Sequence, residues 1–448
     1  MGDGAYSQCA SPRRIDGAGI WAHNFDMISE GHKRVDVAVV GGGPVGLTLA
    51  LGLEQAGASV TVIDAAAPEA ALDDKFDGRA FAIAFANFRM WRALGVAEAL
   101  DPVAQPIEKI MVTDGRPLGE RGRGGPSLLH LFFDSAELGA GPGEALGYMV
   151  EHRHLRRALE DAVRARPAIT RLAPMGVVDF KRGAAGVRLD LADGGHVTAS
   201  LIVGADGRRS FVREKLGIRT IGWPYGVTAI VATVAHQLPH DGVAHEFFLP
   251  SGPFAILPLT DNRSNIVWAE PHAAAAALMA MEEGDFLAEL LRRFGDFLGA
   301  LTLEGPRFSY PLSMQLAEKM IDARAALAGD AAHGIHPIAG QGLNLGLKDV
   351  AALAECVRDA LALGLDAGDA SALQRYQRWR RFDNIAMASA MEFFDRLFSN
   401  DSAPLRVARR AGLALVNRIG PARRFFMRAA GGAAGDLPKL LRGERLAA

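Results

Sequence analysis

The chain has almost no cysteine: Cys9 and Cys356 are the two thiols in 448 residues. Two thiols cannot build a disulfide framework, and they offer no metal-ligand spacing. Stapled secreted scaffolds and cysteine metal centres are therefore excluded, no metal is expected, and a reducing cytosol is the simple reading. There is no run of 18 apolar residues, so no membrane-spanning helix is expected. Charge of neither sign is in excess: 49 Lys and Arg stand against 51 Asp and Glu, a formal net charge of −2. That balance excludes a generally basic nucleic-acid binder and a disordered acidic chain. Aromatics are sparse at 7%, yet 49% of residues are apolar, enough for a large core and more than one domain. The first 34 residues lack the apolar core of a secretory signal. They read as a disordered arm, or as a segment upstream of a start at Met27.

What is present begins at residues 35–64, "VDVAVVGGGPVGLTLALGLEQAGASVTVID". Val35, Val37, Val39 and Val40 predict a short strand, the alternating leucines after them a buried helix, and "SVTVID" a second strand. This is a βαβ unit. Its turn carries Gly41, Gly43 and Gly46 with Pro44 and Val45 between, and Asp64 ends the second strand. Glycines there permit a tight turn and close backbone approach. The helix N-terminus favours a pyrophosphate, and the acid accepts from ribose hydroxyls. The pattern predicts dinucleotide binding and leaves open which dinucleotide.

Two further stretches join a strand to a turn. "SLIVGADGRRS" places Asp206 after an apolar strand, where Asp-Gly is by itself ordinary turn chemistry. "GDAAHGIHPIAGQGLNLG" places Asp330 at a strand end, on the carboxyl edge where open α/β sheets bind ligands. Gly340 and Gly342 then leave backbone N–H groups bare before a helix predicted over about 341–362. Such a helix start is electropositive. The stretch suits a polyol hydroxyl on Asp330 and a partly anionic ring at the helix start, as a ribityl chain and an isoalloxazine ring would be. Taken alone, it is also an ordinary helix start after a Gly-rich loop.

Together the three motifs resemble the flavoprotein aromatic hydroxylases of the para-hydroxybenzoate hydroxylase type. "DGRAFAI", "GYMVEHRHLRRAL", "YGVTAIVATV", "HPIAGQGLNLGLKDV" and "VNRIGPARRFFMRAAGG" resemble more closely their ubiquinone-biosynthesis branch, over about residues 35–443. The resemblance implies FAD, O2, and NAD(P)H or a redox-protein electron donor. It implies hydroxylation of a polyprenyl phenol or benzoquinol ring through a flavin hydroperoxide, so a polyprenylated aromatic substrate. It places Gly41, Gly43, Pro44, Val45 and Gly46 on the ADP half of FAD, with Asp64 on the ribose. Arg79 and Arg153 would contact the cofactor, Asp330 would bind the ribityl chain, and Pro337 would lie beside the ring. Gly340, Gln341, Gly342, Leu343 and Asn344 would meet the ring's pyrimidine edge, and Asp206 would serve both FAD and the nicotinamide donor. Val227 stands in "YGVTAI" where the family commonly has Gln. Same-fold alternatives are a reductase or dehydrogenase of a prenyl substrate and a non-catalytic FAD-stabilised scaffold.

The expected architecture is α/β: a Rossmann-like parallel FAD-binding sheet, an interleaved β-sheet substrate domain and C-terminal helices. The expected boundaries are 35–105, 148–213 and 307–395 for the FAD-binding domain and 106–147 with 214–306 for the substrate domain. Residues 396–448 form a basic helical region, and residues 275–300 read as one helix. His336 and Tyr225 are the candidates for a catalytic side chain. His333 reads as a structural residue, and Arg89, Arg92 and Arg156 as solvated helix faces. Residues 401–448 hold ten Lys and Arg against three Asp and Glu. "PLRVARRAGLALVNRIGPARRFFMR" there suits an anionic membrane surface or a biosynthetic protein complex. The location expected is cytoplasmic with peripheral membrane association. A helix packed on the FAD domain is the competing reading.

Overall fold

A computed structural model describes residues 34–68, 78–113, 130–138, 145–249, 251–334, 341–398 and 419–446. The strand Val35–Val40 is buried along nearly its whole length. It pairs in parallel with His196–Gly204 on one side and Val60–Ile63 on the other. Parallel Ala325–Leu327 and Ile169–Leu172 extend the sheet outward. Strands covered on both faces read as nearly continuous apolar runs, as in residues 37–40 and the second half of His196–Gly204. The helix Pro44–Gln55 packs on the sheet with all of Gly46–Leu53 buried. Against that helix lies the long helix Gln341–Ala362.

One row of the register aligns the strand ends. Val40 pairs with Gly204 and Ile63, Gly204 with Leu327, and Ile63 with Leu172. Residues just past that row therefore collect along one edge. They include Gly41, Asp64, Asp206 and Asp330, which the chain separates by nearly 300 positions.

A second sheet is antiparallel at its centre. Its order runs from His333–Gly334 through Leu301–Ala317, Thr220–His236, Arg263–Pro271 and Gly252–Leu259. It ends on Val243–Leu249, Lys109–Thr113 and His130–Asp134. The strand Leu301–Ala317 runs through position 306, where the sequence divides the units, because it stays paired with Thr220–His236 from Leu301 to Ala317. One face of this sheet buries Phe247, Phe254 and Trp268 against Phe286, Leu290 and Phe294. The other face turns toward the parallel sheet.

Three expectations change. Residues 275–300 are not one helix: His272–Ala280 and Glu283–Phe294 are separated at Met281, which is extended with ψ of 148°. The Arg-bearing stretch 75–100 reads as helical up to Gly95, but its "DGRAFAI" gives the strand Ala80–Ala84, paired with Gly147–Glu151. Its helix begins only at Phe85 and ends at Gly95, which has φ of +77°. In the basic region the described parts are the helix Gly420–Ala430 and a tail whose Leu440, Leu441 and Leu446 join the main core. The tail is thus part of the fold. No helix among the described residues is long and apolar enough to cross a membrane.

Candidate functional site

Between the strand-end edge and the inner face of the second sheet lies a cavity of about 550 Å³. A volume of that order suits a drug-sized or cofactor-sized ligand. One wall carries Gly43, Pro44, Val45, Asp330, Gly342 and Leu343. The opposite wall is the sheet, with Ala229, Val231, Ala255, Leu257, Val267 and Tyr310. A polar edge thus faces a largely apolar sheet that carries Glu246 and Asn265.

The glycines of the first turn are bare for different reasons. Gly41 has φ of +105°, and a Cβ there would lie 2.3 Å from the Ala205 carbonyl oxygen. A Cβ on Gly46 would lie 1.9 Å from the Gly41 carbonyl oxygen. These two are dictated by the protein's own packing. Gly43 and Gly342 are not: a Cβ on either would meet nothing within 4 Å. Both stand at helix starts on the cavity wall. The helix Pro44–Gln55 has no side-chain cap and no acid in its first turn. Its N-terminal donors and dipole are left for an anion. A diphosphate at Gly43 and a flat ring at Gly342 would occupy the space left by the missing side chains. The residues present therefore fit FAD.

Asp330 has no hydrogen bond among the described residues, and the surface it exposes is cavity wall. Protein closes around that wall, so burial pushes its carboxyl above the usual range, while His333 and Arg208 pull the other way. Asp64 accepts from Gly42 N–H at 2.9 Å and Ala66 N–H at 3.0 Å, with the Arg171 guanidinium at 3.6 Å. Its carboxylate shapes the first turn. One Asp206 oxygen accepts from Val212 N–H at 3.1 Å and so caps the short helix Phe211–Lys215. Its other oxygen is buried without a partner among the described residues, and burial raises its pKa. An orphaned buried oxygen beside Gly41 is a vacancy in the hydrogen-bond pattern that a ligand donor can fill.

Of the remaining expected residues, Arg79 lines the cavity. Arg153 pairs with Glu151 at 2.7 Å. Asn344 is buried, and its side chain spans to the strand Ala80–Ala84, accepting from Ala84 N–H and donating to the Ala82 carbonyl. Gln341 opens its helix. His336, Pro337 and Gly340 lie outside the described residues. Tyr225 packs against the cluster of Ala229, Ala269 and Leu312, whereas Tyr310 is the tyrosine on the cavity wall. His333 is structural, as expected: its Nε2 lies 2.5 Å from Asp349 Oδ2 in a fully buried pair.

Arg156 overturns its expectation of a solvated face. It is 5% exposed, donates to the Gly42 carbonyl and pairs with Glu160 at 3.2 Å. Burial lowers its pKa from the usual arginine range. The Arg-to-Glu spacing of four residues reads as an exposed helical pair. What buries it is the first turn folded over it, and helix periodicity carries no sign of that. Glu160 also holds Arg171, which reaches Asp64. The first turn is therefore clamped from below by two arginines.

Residues 34–389 match the family model of the FAD binding domain. The chain is 49% identical over 416 residues to ubiquinone hydroxylase UbiL of Rhodospirillum rubrum, covering 92% of this chain and 93% of that one. It is 35% identical over 395 residues to the 3-demethoxyubiquinol 3-hydroxylase of Escherichia coli, covering 88% and 97%. Among solved structures, p-nitrophenol 4-monooxygenase of Pseudomonas putida superposes with a TM-score of 0.72 at 20% identity, covering 89% of this chain and 98% of that one. That likeness concerns the fold alone.

Proposed function

The chain belongs to the FAD-binding-domain family of flavoprotein hydroxylases, in the branch of the ubiquinone hydroxylases, and from that premise we propose that it hydroxylates the ring of a polyprenyl phenol or benzoquinol precursor of ubiquinone. The observation that carries the reading is the two-faced cavity, with bare backbone and an acid on one wall and a largely apolar sheet on the other. When bound, FAD reduced by NAD(P)H or a redox-protein donor supplies the activated oxygen from O2. The chain's own residues do the rest. Gly43, Pro44, Val45 and the helix behind them receive the diphosphate, with Gly41 and Gly46 shaping the turn. Asp64 faces the ribose, Asp330 takes the ribityl hydroxyls, and Arg79 neutralises charge at the cavity wall. Asp206 offers its free oxygen to the cofactor or to a docking nicotinamide. Gly342 and Leu343 lie under the ring. The sheet wall holds the substrate ring against it and keeps water out, which protects a reactive oxygen species from wasteful loss.

A polyprenyl substrate is delivered from a lipid phase or a carrier. Ile419, Phe425 and Phe426 are 44%, 62% and 39% exposed beside Arg424 and Arg428. That mixture of exposed apolar and basic groups supports docking on an anionic membrane surface.

The test supplies FAD, NADPH and ¹⁸O2 with 2-prenylphenol. A product carrying one ¹⁸O on the ring is expected. Ring or side-chain reduction without ¹⁸O would overturn the reading in favour of a reductase, and bound FAD with no turnover under any donor would favour a scaffold.

A further inference from the structure

The cavity wall contains one carboxyl that neither the fold nor the cofactor accounts for. Glu246 stands in the strand Val243–Leu249 and is 8% exposed. The register places it in a row across five strands: Val112, Glu246, Ala255, Val267 and Val231. One acid thus sits among four apolar side chains. Ala255, Val267 and Val231 line the cavity, which fixes the face that Glu246 shares. Phe247 and Phe254, one position along, belong to the core on the opposite face. His245, the strand's other titratable group, lies with its ring 4.8 Å from that of Phe297. The flanking strands bring Val112 and Ala255 beside the acid, and the other charged groups on the cavity wall are Arg79, Arg208 and Asp330. Among the described residues nothing hydrogen-bonds the Glu246 carboxyl, and burial alone pushes it up to about 8.

A buried carboxyl without a partner is costly. At this position the missing partner is supplied when the cavity fills. We propose that Glu246 bonds the ring hydroxyl of the phenolic substrate and takes its proton. The inference rests on the function proposed above. In the step, the ring O–H bond breaks and the proton passes to a Glu246 oxygen. The electron pair stays on the ring oxygen. No oxidant or reductant is consumed, and the resulting phenolate is richer in electrons at the ring carbons that receive oxygen. A carboxyl poised near 8 is closer to a phenol near 10 than an ordinary glutamate is, so once it has ionised above about pH 8 the proton transfer is less uphill.

The experiment uses FAD-loaded protein with 2-prenylphenol as the probe, followed by ultraviolet difference spectra and by product formation across pH 6–10. Wild-type protein is expected to bind the probe and show phenolate absorption at pH 9, with hydroxylation rising through about 8 to a plateau. Glu246→Gln is expected to bind the probe as neutral phenol and to be slower by about 10²–10⁴-fold, its residual rate rising only toward the phenol's own ionisation near 10. Glu246→Asp keeps a carboxyl and should recover part of the phenolate signal. If Glu246→Gln fails to retain FAD, the aspartate variant decides: signal present supports the proposal, signal absent overturns it. Identical spectra and pH profiles in wild type and Glu246→Gln would overturn the proposal alone. No binding of the phenol by wild type would overturn the proposed function as well.

Discussion

Two glycines of one turn should respond in opposite ways to the same methyl group. Gly41→Ala forces a side chain onto φ of +105° and against the Ala205 carbonyl. Positive-φ strain and overpacking together should lower stability by roughly 3 kcal/mol or more. Gly43 has φ of −74° and ψ of −179° with open space beyond, so Gly43→Ala should leave the stability of the cofactor-free protein within roughly 0.5 kcal/mol. It should weaken FAD binding about tenfold or more, because the methyl group takes the ligand's space. Urea unfolding paired with FAD titration checks this, and Gly43→Ala with normal affinity would refute the placement of the diphosphate. Glu246 carries a second prediction. Its carboxyl is raised to about 8 from an ordinary 4.5, so the folded chain keeps a proton that the unfolded chain has released between those values. The contribution of Glu246 to stability should therefore fall as pH rises through that window, by roughly 3–5 kcal/mol, while buried His245, pushed down to about 4, acts in the opposite direction below about 6.5. Glu246→Gln should remove that contribution and be the more stable protein at pH 8–9; urea midpoints with the same pH dependence in both would contradict it. Motif spacing made Gly41, Gly43, Asp64 and Asp330 legible in the sequence. Glu246 was not, because an acid in "HEFFLP" reads as the solvent face of a strand. Only the register shows that this face is covered by the other half of the molecule.

At the scale of elements, the turn at Gly329 and Asp330 is held by helices far along the chain. Asp349 accepts from Gly329 N–H at 3.0 Å and also meets His333 and Arg380 Nε, the latter at 2.9 Å. Burial works against its negative charge, but His333 and Arg380 overcome that and hold the carboxyl below its usual range. Arg380 continues to Asp383 and Asn384, and the Tyr376 hydroxyl donates to the Leu327 carbonyl at 2.8 Å. Removing one member of such a network strands the others in an apolar interior. Asp349→Ala should thus cost roughly 3–5 kcal/mol and weaken FAD binding through the loosened turn. Unchanged unfolding by urea would show that the network contributes nothing. The βαβ unit and the helix Gln341–Ala362 were readable because their apolar period is long and their turns carry glycine. The strand Ala80–Ala84 was not, since its pairing depends on Gly147–Glu151 and on Asn344, some 260 positions away. Short segments whose partners are that distant carry little local signal of their own.

The whole molecule decides what the basic C-terminal region does. Residues 401–448 have a net excess of seven basic side chains over acidic ones, and composition alone allows either a membrane-docking arm or a structural tail. The structure divides it. The tail is built into the fold: Leu440, Leu441 and Leu446 sit in the core, and Leu446 N–H donates to Gln55 at 2.9 Å. The Lys439 N–H bonds Glu355 at 2.6 Å, and Trp379 donates to the Asp436 carbonyl at 2.9 Å. The helix Gly420–Ala430 buries Met427 against Leu131, Phe133 and Leu146 and ties Arg423 to Glu137. Truncation after Ser399 should therefore destabilise the FAD-binding half, since three buried leucines at roughly 1.5–3 kcal/mol each leave with the tail. It cannot by itself report on docking. The discriminating variant keeps the tail and changes the exposed face: Phe425→Ser with Phe426→Ser. Phe425 is mostly accessible and Phe426 partly so, and neither belongs to the buried cores, so stability and FAD content should change less than on loss of the tail leucines. Association with vesicles of anionic phospholipid should fall, because two aromatic anchors are lost while the basic groups, at about 1 kcal/mol each near such a surface, remain. Added salt should weaken what association is left. Co-sedimentation equal to that of the unaltered protein would place the docking surface elsewhere or remove it altogether.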